Sequence, residues 1–336
     1  MRNFTVIVIC LITLLLISGC DNEEAGSEMS EPPINVVTTI YPISDIIVRL
    51  GGDKVNVTYL LPSGASPHTY EPTVEQARLV AQAHLFVYVG AGLDDWAVKL
   101  TEAAGPELTL LNLSEEVPLV EAVSYRLLDQ EGSEHSDHDH DDCDHNDHNH
   151  DYNDCNDSDC GHDHGIYDPH FWLDPLMVRD IICPAIREQL VLLDPGNEEY
   201  FTGNYDTYFQ KLTVLHEEIE EISAAFAHNK FIAFHSAWQY FGLRYNLQEV
   251  AVIAQFPGQE PSAGWVAELI DMIKSEEIGA LFAEPQFSSA LADRIAEESG
   301  SEVAIIDPLG GEDIPGRETY IEMMRFNLNS FQNAMK

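Results

Sequence analysis

The sequence predicts an α/β fold of two lobes, each with a parallel-sheet core, joined by one long helix. Three observations predict it. Short β-branched and aromatic runs alternate with helical patterns over residues 34–111; one apolar stripe continues through residues 201–226; a second alternation begins at residue 231. Alternation of this kind marks βαβ units, whose strands pair in parallel because the intervening helix carries the chain back. A length of 336 residues accommodates two such lobes.

In chain order, Ile34 to Ile40 reads as a buried strand broken by Tyr41-Pro42. Val55 to Leu61 and His84 to Val89 read as further strands, and Leu108 to Leu111 as a weaker fourth. Helical patterns at 44–50, 73–83 and 93–103 separate them. After Pro195 the apolar positions Phe201, Tyr205, Tyr208, Leu212, Leu215, Ile219, Ile222 and Phe226 step alternately by four and three, a helical stripe. Residues 197–227 would span roughly 45 Å at about 1.5 Å per residue. A coiled-coil dimer seam is the alternative, but the Tyr and Phe content favours packing on the chain's own lobes. Strands follow at 231–234, 250–254, 280–283 and 303–306, with helices at 237–241, 262–275, 289–299 and 317–333. The lobes are therefore placed at 34–195 and 229–336, with the linking helix at 196–228 and an insertion at about 131–166 in the first lobe.

The amino terminus reads as a targeting segment. Phe4 to Ile17 is an apolar run, too short for a spanning helix of ~20 residues and suited to a signal peptide over residues 1–20. Its Ser18-Gly19-Cys20 ending resembles the lipobox of bacterial lipoproteins, which makes Cys20 the lipidated first residue of an exported, membrane-anchored chain. Residues 21–33 are polar and contain proline, as a tether would. No later stretch is apolar enough to span a bilayer.

Asp and Glu total 58 against 16 Lys and Arg, a formal charge of −42. That excludes a basic footprint for nucleic acid or anionic lipid and suits cations as partners. Residues 135–164 concentrate the ligand-grade side chains: His135, His138, His140, Cys143, His145, His148, His150, Cys155, Cys160, His162 and His164, among 11 aspartates. Such a stretch cannot bury enough apolar area to fold alone, and its ligand density reads as auxiliary metal binding at several weak, exchangeable sites. Imidazole and thiolate suit zinc, copper or nickel. The six cysteines form no disulfide framework, although a pair inside the tract stays open. Cys10 lies in the signal, and Cys183, in Ile181-Ile182-Cys183, reads as a buried small hydrophobe.

Outside the tract, His68, His170 and His235 fall at expected strand-to-helix junctions, and Asp307 follows an expected strand. In open parallel sheets ligands bind beyond the carboxyl ends of strands. Three imidazoles and a carboxylate make a tetrahedral set suited to zinc, two from each lobe, so the ion would lie between the lobes. His84 is expected to pack along its strand, and His216 and His228 to lie at the surface.

At these residues the sequence closely resembles the zinc-binding members of the metal-specific substrate-binding proteins of ABC importers. The family also holds manganese binders and lipoproteins once called adhesins. The resemblance spans the mature chain and rests on Tyr41-Pro42, Gly51-Gly52-Asp53, Pro62 to Pro72 around His68, and Gly90-Ala91-Gly92-Leu93 before Trp96. Asp168-Pro169-His170, Glu284-Pro285-Gln286-Phe287 and Asp307-Pro308-Leu309-Gly310 complete it. It implies a rigid linking helix, Zn(II) in the cleft held by His68, His170 and His235 with Asp307 at the fourth position, a monomer, and delivery to a membrane permease. Manganese binders tend to carry a carboxylate where this chain has His235, and a His/Asp-rich insertion is typical of the zinc branch. Three other readings compete: a manganese or iron binder, a surface adhesin and a zinc hydrolase. The chain has no His-Glu-x-x-His, four protein ligands would leave no open position for catalysis, and Glu71 and Glu284 are read as structural.

Overall fold

Val36 and Val37 in strand Ile34–Thr38 (β1) are neighbours in sequence and belong to different hydrophobic cores. Successive strand side chains point to opposite faces, and both faces of this sheet are covered. The computed structural model describes residues 32–102, 104–123, 166–254, 260–276, 278 and 280–336. The signal segment with Cys10 and Cys20, nearly all of the tether, and the His/Asp/Cys tract lie outside the described residues.

The first sheet runs Val55–Tyr59 (β2), β1, Leu85–Tyr88 (β3), Thr109–Asn112 (β4). The second comprises Lys230–Ala233 (β5), Gln248–Val252 (β6), Ala280–Ala283 (β7) and Glu302–Ile305 (β8), in the order β6-β5-β7-β8. Every pairing is parallel. The two orders are the same permutation, and in each the winding reverses between the central strands, where an open parallel sheet leaves a crevice for ligand.

One core runs through both sheets. It takes Val36, Leu85 and Val87 from the first, Phe231, Ala233 and Phe282 from the second, and the helices between them. Helix Tyr41–Gly51 (α1) starts earlier than expected: Pro42 lies in its first turn, where a missing N–H is harmless, so Tyr41-Pro42 opens a helix as well as ending the strand. On the outer face of the first sheet, Val80 of Val74–Ala81 (α2) and Trp96, Ala97 and Leu100 of Asp95–Thr101 (α3) pack on Val37 and Phe86.

Residues 175–193 were not expected as helix. They form a turn at Pro175–Met177, one π-type turn at Val178–Ile182, and helix Cys183–Leu193 (α4). The wider turn lets the helical path continue into Pro184, which has no N–H to give. Cys183 is buried, as expected.

The linking helix is Glu198–Ser223 (α5), about 39 Å long at 1.5 Å per residue. Its stripe is consumed by the chain's own core: Phe201, Tyr208, Leu212, Leu215 and Ile219 are buried there, with Tyr205 and Ile222 packed against them. The alternative of a dimer seam is thereby answered by packing. Helices Gln239–Tyr245 (α6), Ala263–Ser275 (α7) and Ala290–Ser299 (α8) follow. Trp265, Leu269, Ile273, Ala292 and Ile295 of α7 and α8 cover the outer face of the second sheet. The last helix, Tyr320–Ala334 (α9), returns to the shared core through Phe331, whose ring lies 4.5 to 5.6 Å from those of Phe231, Trp238, Phe241 and Phe282.

Polar ties join the lobes. Asp174, buried, accepts a forked pair from Arg244, Nε to Oδ1 at 3.1 Å and Nη2 to Oδ2 at 2.7 Å. Trp172 donates its indole N–H to Pro308 O, and Tyr320 its hydroxyl to Trp172 O, both at 2.8 Å. Among the described residues no helix is long and apolar enough to cross a membrane.

Candidate metal centre

Each histidine is placed by its local backbone. His68 sits in the single turn Pro67–Thr69 after β2, and Trp96 holds that turn by donating its indole N–H to Pro67 O at 2.8 Å. His235 follows β5, where Phe231, Ile232 and Ala233 are fully buried and fix the exit. Glu284 follows β7, the adjacent strand, so His235 and Glu284 meet at the winding reversal of the second sheet. The strand-to-helix junction expected at His170 is not found: His170 follows no sheet strand but an isolated bridge between Glu121 and Tyr167, and precedes the turn Phe171–Leu173.

The structure brings the three histidines together. One ring nitrogen from each lies within 4.8 Å of the others. The ring centroids are 5.3 Å apart for His68 and His170, 5.7 Å for His68 and His235, and 5.3 Å for His170 and His235. His68 Nε2 and His170 Nε2 stand 3.3 Å apart. Two nitrogens each about 2.05 Å from a tetrahedral zinc would stand about 3.3 Å apart, so the spacing fits one shared ion. The cavity is about 10 Å³, room for one water-sized neighbour and for no organic group.

Two of the imidazoles are braced from behind. His170 Nδ1 bonds Asp168 Oδ1 at 2.7 Å, and His235 Nδ1 bonds Glu284 Oε1 at 2.7 Å. A carboxylate partner assigns the hydrogen to Nδ1 and leaves the Nε2 lone pair for a metal. All four groups are at most 5 % exposed. Burial, with the charge of His235 nearby, holds His170 well below the usual imidazole range. Burial pushes Asp168 up to about 7 despite the His170 backbone N–H it accepts. For His235 burial acts downward, but the charge and hydrogen bond of Glu284 outweigh it and the net shift is upward.

Asp307, expected as a fourth ligand, lies outside this cluster. Its Oδ1 accepts from Gln286 Nε2, Leu309 N and Gly310 N at 3.0, 3.0 and 3.1 Å, and its Oδ2 from Arg317 at 2.8 Å. To ligate, its buried carboxylate would have to leave an ion pair with the partly exposed Arg317, which is costly. In this structure Asp307 organises the loop beyond β8 instead.

Residues 36–334 match the family profile described as zinc-uptake complex component A, periplasmic (ZnuA). The chain belongs to this family. Among relatives of the ZnuA family chain, the zinc-binding lipoprotein AdcA of Streptococcus pneumoniae is 29% identical over 338 residues, covering 99% of this chain and 61% of that protein. The chain thus spans about three fifths of that relative's length. The manganese-binding lipoprotein MntA of Halalkalibacterium halodurans is 26% identical, covering 99% and 97%. A crystal structure of a ZnuA with residues 138–173 deleted and zinc bound superposes with a TM-score of 0.71 at 27% identity, over 90% of this chain and 98% of that one. Membership of this ZnuA family sets the zinc-hydrolase alternative aside.

Two residues behind the ZnuA-type histidines were given no role from the sequence. In the sequence Asp168 stands only as part of Asp168-Pro169-His170, and Glu284 reads as structural. The available signal was position: Asp168 is two residues before His170, and Glu284 ends a strand beside the one that His235 ends. His84 is exposed rather than packed, because it precedes β3; its Nδ1 accepts Asn35 N–H at 2.9 Å. His228 is exposed and His216 half-buried beside Tyr245.

Proposed function

We propose that this protein captures Zn(II) at His68, His170 and His235 and hands it to the permease of an ABC importer. The observation that carries the reading is the 3.3 Å spacing of two Nε2 atoms whose third partner, His235, faces the same point. The chemistry supports it. Zinc takes neutral imidazoles readily, and the two buried carboxylates behind His170 and His235 can balance its double charge without touching it. The 10 Å³ cavity suits an ion rather than an organic solute.

The chain is proposed to act as a monomer held to the outer face of the cytoplasmic membrane, or in the periplasm, by lipid on Cys20. The tract from His135 to His164 is proposed to raise the local zinc concentration near the cleft. Release would come from permease contact that shifts one lobe against the other, since the histidines come from both.

A chelator-competition zinc titration of the full chain, with manganese as competitor, tests the reading. One tight zinc that manganese does not displace, lost in His68→Ala and in His235→Ala, is the expected result. Tight zinc untouched by either substitution would move binding to the tract. Displacement by manganese would favour the reading as a manganese binder, which the 26% identity to a manganese-binding lipoprotein keeps in view.

A further inference from the structure

Gln286 has one half of its amide explained and the other half not. Its Nε2 donates to Asp307 Oδ1 at 3.0 Å. Asp307 also accepts from Arg317 and two backbone N–H groups, so the NH2 end of the Gln286 amide is the end that faces it. The amide orientation is thus set by the network, and Oε1 must point elsewhere. That oxygen is shielded from solvent, has no hydrogen-bond partner among the described residues, and belongs to a residue lining the same cavity as His68, His170 and His235. A buried amide oxygen of this kind calls for a donor.

The histidine cluster lacks one thing of its own. Zinc takes four ligands, and the cluster supplies three. Asp307 is occupied, and Glu284 reaches His235 Nδ1 instead. A solvent molecule completing the four-ligand shell of an ion held by the three imidazoles would carry O–H groups needing an acceptor. We propose that Gln286 is the positioning residue for this fourth position: its amide oxygen accepts the hydrogen of the solvent molecule that completes the shell of the captured ion. The inference rests on the zinc-capture reading above and adds to it a residue that sets selectivity. An uncharged acceptor keeps the fourth donor a neutral water, which leaves three imidazoles to choose the metal. A carboxylate at the same place would add a hard anionic oxygen and favour manganese.

The test compares the full chain with Gln286→Leu, Gln286→Glu and Asp307→Asn, using zinc, then manganese, as the probe. X-ray absorption at the zinc edge, at half an equivalent of zinc, reads the donors of the tightest site; chelator competition reads affinity. Expected for the unaltered chain are three imidazoles and one further oxygen. Expected for Gln286→Leu is a 10- to 100-fold weaker zinc affinity, about that of other lost outer contacts, with the imidazoles retained. Expected for Gln286→Glu, whose side chain has the same shape and tests the idea should the leucine variant misfold, is a selectivity shifted toward manganese by a factor of ten or more. Unchanged zinc affinity in Gln286→Leu, or unchanged selectivity in Gln286→Glu, overturns the proposal. So does a carboxylate donor that disappears in Asp307→Asn, which would leave the three-histidine reading standing. Sulfur donors, or no imidazole set at all, would instead overturn zinc capture at the cleft.

Discussion

Glu284 accepts the Nδ1 hydrogen of His235 at 2.7 Å, across 49 residues of sequence and between the ends of two adjacent strands. Both groups are almost wholly buried. The contact fixes which ring nitrogen of His235 faces the cluster, so it bears on metal binding without Glu284 touching metal. Glu284→Gln keeps the acceptor and removes the charge. Zinc affinity is expected to fall by about 10- to 100-fold, measured by chelator competition, with the unfolding transition of the zinc-free protein retained. Unaltered affinity would show that the pairing is structural only.

Zinc binding should release protons. The pKa of His235 is raised because Glu284 outweighs burial, and a histidine with a raised folded pKa gains stability from its proton below the unfolded value and loses that gain as pH rises through the folded value. Zinc requires the neutral ring, so it must displace whatever proton His235 holds. Affinity is therefore expected to fall as pH drops, and calorimetry in buffers of different ionisation enthalpy should register proton release near neutral pH. Release that persists unchanged in Glu284→Gln would contradict the assignment to His235.

Asp94 offers a pH effect from outside the histidine cluster. Its carboxylate is fully buried and accepts Val89 N–H at 2.9 Å and Gly90 N–H at 2.8 Å. Burial, the largest influence, outweighs these donors and raises it from 3.8 to about 6. The native chain then holds this proton to higher pH than the unfolded chain does. Stability should decline as pH rises from about 4 to about 6, by roughly 3 kcal/mol for about two units. Subtracting the denaturation curves of Asp94→Asn isolates the contribution; parallel pH profiles would rule it out.

The same loop depends on Gly90, whose φ is +79°. A Cβ there would lie 2.2 Å from Asn112 Oδ1 and 2.4 Å from Ser114 Oγ. Gly90→Ala combines positive-φ strain with overlap and is expected to cost about 1–3 kcal/mol in urea unfolding. A change below a few tenths of that would mean that the Asn112 and Ser114 side chains simply swing away.

Leu215, fully buried, sits at the middle of the linking-helix stripe. Leu215→Ala should cost about 2–5 kcal/mol and leave the sedimentation behaviour unchanged, because the stripe faces the chain's own core. A variant that alters the state of association instead would restore the dimer-seam alternative.

Most of the architecture was legible as alternation. All eight expected strands exist, within two residues at most ends, because fully buried parallel strands read as short continuous apolar runs. The helical stretch from Pro175 to Leu193 was not legible, since Pro184 reads as a stop and only the π-type turn before it removes the conflict. Pro42 misled in the other direction, a helix start that local pattern renders as a break.

For the site, the chain order alone determined that three histidines stand at loops able to reach a common cleft, and that their chemistry suits a soft-leaning divalent ion. Residue type and neighbouring strand pattern suffice for that. Only the tertiary structure decided that Asp307 is bound to Arg317 and Gln286 rather than free to ligate, and that Asp168 and Glu284 stand behind the histidines. Whether a carboxylate faces metal or an arginine depends on which donors surround it in the folded chain, and Glu284 and Gln286 follow a strand that neighbours those before His235 and Asp307 only once the sheet has formed. Local periodicity encodes which face a residue takes; it carries no record of which distant side chain will meet it there.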